Sequence, residues 1–240
     1  MATITGSSTI DWSGVPLEPI DVQQDFNKFS SRFDQVVMEI DQGLFHFNLP
    51  LTSTFLSLTL NSGGILTASG SGFDTNDPVV KSFEYRNPST GDVVGFTGTL
   101  DSAGNGVVNS LTIGVTGLQV SIIGNIVVDP FGNVSGSISQ LQETIGSTTA
   151  TIKGSLFLSV SDVISGTVTQ ISVQSGTNTI LMSGLSLPYS ALDSVRTAED
   201  LFSVVGNQLD GNDTITYKST LGIELFGGAG DDTITGGTGP

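Results

Sequence analysis

From Leu44 onward apolar and polar residues alternate in short runs. Leu44, Phe45 and Phe47 are followed by Phe55, Leu56, Leu58 and Leu60, and the turn letters Asn61-Ser62-Gly63-Gly64 end the run. A period of two over such lengths predicts strands. Farther along, the alternation becomes an internal repeat of about thirty residues, with units at 106–135, 136–165 and 166–195. Each unit opens on a glycine (Gly106, Gly136, Gly166), and a second glycine recurs in step at Gly124, Gly154 and Gly184. Apolar columns run between them, such as Val108, Ile138 and Val168, or Ile122, Ile152 and Met182. Turn letters fall at mid-unit, at Thr116-Gly117, Gly146-Ser147 and Gly176-Thr177, so each unit predicts a strand, a tight turn and a second strand. A less regular copy precedes them, with strands at 79–85 and 93–100 around the turn Ser89-Thr90-Gly91-Asp92. The second glycines predict bulges or close backbone crossings.

The flanks follow other periods. Phe26, Phe29, Phe33, Val36, Val37 and Ile40 fall on one helical face, which predicts an amphipathic helix from Asp21 to Gln42 packed on the core. Residues 1–20 predict one short strand and an irregular lead-in. Residues 190–205 break the alternation and predict a short helical joint. The expected architecture is all-β: a lead-in over 1–43, a stacked β-hairpin repeat domain over 44–189, the joint over 190–205, and the beginning of a parallel β-roll over 206–240.

Charge narrows the list of partners. Lys and Arg number 7 against 23 Asp and Glu, for a net charge of −16, so the chain has nothing with which to neutralise phosphates and nucleic acid is a poor partner. Divalent cations are a good one. Hydrophobic residues at 37% exceed what unfolded chains carry. Zero cysteines exclude disulfides, and one histidine, His46, makes a histidine zinc site implausible. No apolar run reaches the length of a membrane span, and Met1–Gly6 has neither the basic nor the apolar region of a classical signal peptide.

The stretch Gly227-Gly228-Ala229-Gly230-Asp231-Asp232-Thr233-Ile234-Thr235 is one full copy of G-G-x-G-x-D-x-(aliphatic)-x, a calcium loop followed by a very short strand. Its glycines let the backbone aim carbonyl oxygens inward, Asp232 adds a carboxylate, and Ile234 points into the stack. Calcium needs about six to eight oxygens, so a second loop must lie alongside. A degenerate copy lies upstream, where Gly211-Asn212-Asp213-Thr214-Ile215-Thr216 matches Gly230 to Thr235 at every position but one. Asp213 and Asp232 are 232 − 213 = 19 residues apart, one more than two nine-residue units, which leaves the register of the two loops open.

Residues 206–240 resemble the start of a repeats-in-toxin (RTX) calcium β-roll, of the secreted hemolysin-type calcium-binding family. The resemblance implies calcium as cofactor, Asp213 and Asp232 as carboxylate ligands, and carbonyls from Gly211, Gly227, Gly228 and Gly230. It also implies an extracellular protein that leaves by type I secretion, and a chain cut inside its repeat array.

No nucleophile elbow, phosphate loop or zinc spacing occurs, so no catalytic residue is expected and the chain reads as a non-enzyme. The bland account of His46 is an exposed strand histidine, and that of Asp74, Asp77 and Glu84 is turn and solvent roles. The hydroxyl-rich faces of 106–195 have two readings, a soluble spacer or a binding surface for cell-surface glycan or matrix. The functional expectation is a secreted calcium-binding surface, matrix or adhesive module. The alternative is the non-catalytic part of a larger RTX protease, lipase or epimerase.

Overall fold

The computed structural model describes residues 2–7, 38–40, 42–48, 51–115, 117–131, 133–161, 163–195, 198–207, 209, 212–218 and 227–236. The predicted helix over Asp21–Gln42 lies mostly outside these residues; within them, Met38–Ile40 is helical.

The alternating segments form one open sheet of fourteen strands. They are β1 (Thr3–Ser7), β2 (Phe45–Phe47), β3 (Phe55–Leu60), β4 (Ile65–Ser71), β5 (Val79–Asn87), β6 (Asp92–Leu100), β7 (Gly106–Val115), β8 (Leu118–Val128), β9 (Val134–Ile145), β10 (Thr148–Leu158), β11 (Ile164–Ser175), β12 (Asn178–Pro188), β13 (Thr214–Lys218) and β14 (Thr233–Thr235). A 3-10 helix, Tyr189–Ser194, and helix α1, Ala198–Gly206, fill the predicted joint. From β2 to β12 spatial order follows sequence order; β1, β13 and β14 then follow β12. Each repeat unit is a hairpin, as the pattern predicts, and the irregular copy is the hairpin β5–β6.

The chain divides into two compact units. One holds 21–138 and 158–163, and the other holds 1–20, 139–157 and 164–240. In the first, alternation sends Leu58, Leu66, Tyr85, Val94, Ile113 and Val120 to one face, directly opposite one another from β3 to β8 and all buried. Phe83 and Phe96 stack in the adjacent row with ring centroids 6.0 Å apart. Each such aromatic removes a large apolar area from water, so these rows carry much of the unit's stability.

The two glycine columns of the repeat meet each other. A Cβ on Gly98 would collide with the Val107 carbonyl and one on Gly106 with that of Thr99. Gly124 and Gly136 face Ser137 and Asn125 in the same reciprocal way, as do Gly154 and Gly166 with Thr167 and Ser155. Ladder shifts at Thr97/Gly98 and Val108/Ser110 mark the bulges. Gly154→Ala is therefore expected to force β10 from β11 and cost about 1–3 kcal/mol, read as a lower urea midpoint. An unchanged midpoint would show that the close approach is not required.

The hairpin-to-hairpin loops of the first unit are tied by side chains. Asp129 accepts from the amides of Phe131 (2.8 Å) and Asn133 (2.9 Å) and from the Asn133 side chain (2.8 Å). Asp101 does the same with Ala103 and Asn105. Ser159 takes the equivalent place with Val163 (3.2 Å). The Asn133 side chain leads in holding the Asp129 carboxyl below its ordinary value of 3.8, and the Asn105 amide leads at Asp101. Because the folded value is depressed, this contribution is present above the unfolded value and is lost as pH falls through the folded one. A carboxyl-carbon NMR titration is expected to give midpoints below 3.8 for both residues, with Phe131 and Asn133 amides losing protection over the same window; midpoints at 3.8 would refute the loop ties.

Candidate calcium site at the parallel rungs

The apolar row of the second unit runs Ile171, Met182, Ile4, Ile215 and Ile234, each opposite the next across β11, β12, β1, β13 and β14. β1 is antiparallel to β12 and parallel to β13, and β13 is parallel to β14. The N-terminal strand therefore joins the antiparallel meander to the parallel rungs. Its sequence carries the sign of this. Thr3-Ile4-Thr5 repeats Thr214-Ile215-Thr216 and Thr233-Ile234-Thr235, and the three triplets stack in register. Ala2 stands where the other rungs have Asp213 and Asp232.

The nineteen-residue offset does not throw the loops out of phase, since Thr214 faces Thr233 and Ile215 faces Ile234. Asp213 and Asp232 consequently occupy the same position on adjacent rungs, and the carboxylates form a ladder. The Ala2 amide donates to Asp213 Oδ1 at 2.6 Å, and the Asp213 amide donates to Asp232 Oδ1 at 3.0 Å. Beside them the Asp231 amide donates to Asn212 Oδ1 at 3.0 Å, and that of Thr233 to the Asp213 carbonyl at 2.9 Å.

Asp213 is only 2% exposed, and its second oxygen, Oδ2, is buried with no hydrogen-bond partner among the described residues. Leaving a buried charged oxygen unmatched is costly, so such an atom marks a place for a cation or donor. Two predicted glycines of the neighbouring loop lie against oxygen atoms. A Cβ on Gly227 would strike the Asp232 carboxylate, and one on Gly228, at φ +80°, would strike the Leu209 carbonyl. The loop thus closes around oxygen atoms, with no room for side chains.

Of the predicted ligands, Asp213, Asp232, Gly227 and Gly228 come together at these rungs. Gly230 lies on the same loop, exposed, with φ +134°. Gly211 lies outside the described residues, as does Asp210. Among the described residues no group of three or more Asp, Glu, His or Cys side chains gathers to hold a metal, so a metal held by Asp213 and Asp232 would need carbonyls or water to complete its shell. A cation held by a few carboxylates and several carbonyls has the oxygen chemistry of calcium.

The Ala2 partner went unseen in the sequence. Its only signal is the echo of Thr-Ile-Thr at residues 3–5. The other acidic candidates have ordinary roles: Asp77 accepts from Ser102 Oγ at 2.6 Å, and Glu84 pairs with Arg86. His46 is exposed opposite Thr59. Among the described residues no helix is long and apolar enough to cross a membrane. Comparison with family models, curated proteins and solved structures finds no match to this chain.

Proposed function

We propose that this chain is a secreted, non-enzymatic calcium-binding surface or matrix module, whose C-terminal parallel rungs order when calcium closes the loops at Asp213 and Asp232. The buried Oδ2 of Asp213, without a partner among the described residues and one rung from Asp232, carries this reading. A cation there offsets the cost of the buried charge and draws the Gly227–Gly230 turn onto the preceding loop, so metal binding and folding are one event. Extracellular calcium suits an affinity of roughly 10⁻⁴–10⁻³ M, the range of extracellular modules. That compartment also fits the RTX resemblance.

Amide hydrogen exchange on the full chain, titrated with calcium to about 10 mM and with magnesium as control, tests this. Residues 213–216 and 233–235 are expected to gain protection with calcium and far less with magnesium. No gain with calcium would overturn the proposal.

A further inference from the structure

The sheet of the first unit has a second face, and the strand register gives it an order that the thirty-residue period does not reveal. Ser69, Ser82, Thr97 and Ser110 lie directly opposite one another on β4, β5, β6 and β7. They pair side chain to side chain, Ser69 Oγ with Ser82 Oγ at 2.6 Å and Thr97 Oγ1 with Ser110 Oγ at 2.7 Å. Each pair uses one of its two protons internally, leaving the other and several lone pairs to a ligand. Phe55 bounds the row at one end and Ile123 at the other, 37% and 40% exposed.

The neighbouring row on the same face reads Thr67, Glu84, Gly95 and Thr112. Gly95 puts no side chain there, so the row dips at its centre. Over the dip lies a cleft of about 440 Å³, lined by Thr67, Ser82, Glu84, Thr97, Thr112 and Gln119 among others. Glu84 is fixed by two bonds from Arg86, Nε to Oε1 at 2.5 Å and Nη2 to Oε2 at 3.0 Å. The pair contributes polar atoms and no net charge.

We infer that this face of β4–β7 binds a linear, uncharged polysaccharide that lies across the strands. Neighbouring strands are about 4.8 Å apart, close to the length of one pyranose ring along a linear chain, so successive rings meet successive hydroxyls of the row. The row of four spans about 14 Å and is open at its ends, which suits the interior of a chain. Sugar hydroxyls find donors and acceptors along the row, and the apolar face of a ring finds Phe55. An anionic chain is disfavoured by the protein's net charge of −16, and a cationic one finds the local carboxylate already paired.

The test uses the full chain with cellohexaose, mannohexaose and chitohexaose as neutral probes and a heparin-derived hexasaccharide as the anionic one. Titrations followed by NMR and calorimetry run in calcium and in chelator. At least one neutral hexasaccharide is expected to bind and shift Ser82, Thr97 and Thr112. The double variant Thr97→Val/Ser110→Ala is expected to bind about tenfold more weakly, with an unchanged melting midpoint and the same result in both buffers. Absence of binding by all three neutral probes, binding of the heparin fragment alone, or unaltered affinity in the double variant would each overturn the inference. Because the expected binding does not depend on calcium, its failure is separable from failure of the calcium proposal.

Discussion

Ile4→Ala is expected to lower the stability of the protein by about 2–5 kcal/mol. Ile4 is 3% exposed and lies between Met182 and Ile215, both 1% exposed, in the row that crosses from the meander to the parallel rungs. Truncation removes the apolar contact and opens a cavity that a sheet fixed on both sides cannot collapse to fill. Urea unfolding measures the loss, and hydrogen exchange shows where it falls. Protection at 214–216 is expected to drop with the global midpoint, because β13 pairs with the rest of the sheet through β1. Thr5→Ala, one position on and exposed, serves as the control and should stay within about 0.5 kcal/mol. If Ile4→Ala behaves like Thr5→Ala, β1 is not the strand that holds the rungs.

Asp213→Asn is expected to change sign with calcium. In chelator the variant loses a buried charge whose Oδ2 has no partner among the described residues, while an amide oxygen still accepts from Ala2. Its stability should therefore equal or exceed that of the parent. With calcium the order reverses. Calcium at ten times its dissociation constant stabilises the parent by about 1.4 kcal/mol, and the variant should gain almost none. Melting curves at matched ionic strength give both numbers. Equal calcium gains in parent and variant would remove Asp213 from the site.

Much of the fold was legible because alternation, turn glycines and the thirty-residue period all favour the same hairpins. The glycine columns were legible as close approaches, since nothing but glycine fits against a neighbouring carbonyl. The role of β1 was not. Ala2 meets Asp213 across 211 residues, and a three-letter echo is too short to stand out without the register that stacks it. The phase of the two loops was equally hidden. Register is set by which side chains face the core and not by how many residues the connection holds, so a nineteen-residue offset still puts Ile215 on Ile234. Gly227, Gly228 and Asp232 were legible as loop chemistry. The burial of Asp213, which decides the energetics, depends on a strand from the other end of the chain. The hydroxyl row escaped for a similar reason: Ser69 to Thr97 and Ser82 to Ser110 are each 97 − 69 = 110 − 82 = 28 residues apart, off the thirty-residue period, and only the register sets the four side by side.

The place of β1 between β12 and β13 also orders events in time. β1 pairs with two strands far along the chain, at residues 179–183 and 214–218. Hairpins such as β7–β8 can zip as soon as their turns exist, whereas pairing β1 bears the entropy of closing a very long loop. The parallel rungs are thus the slowest part of the described sheet to assemble.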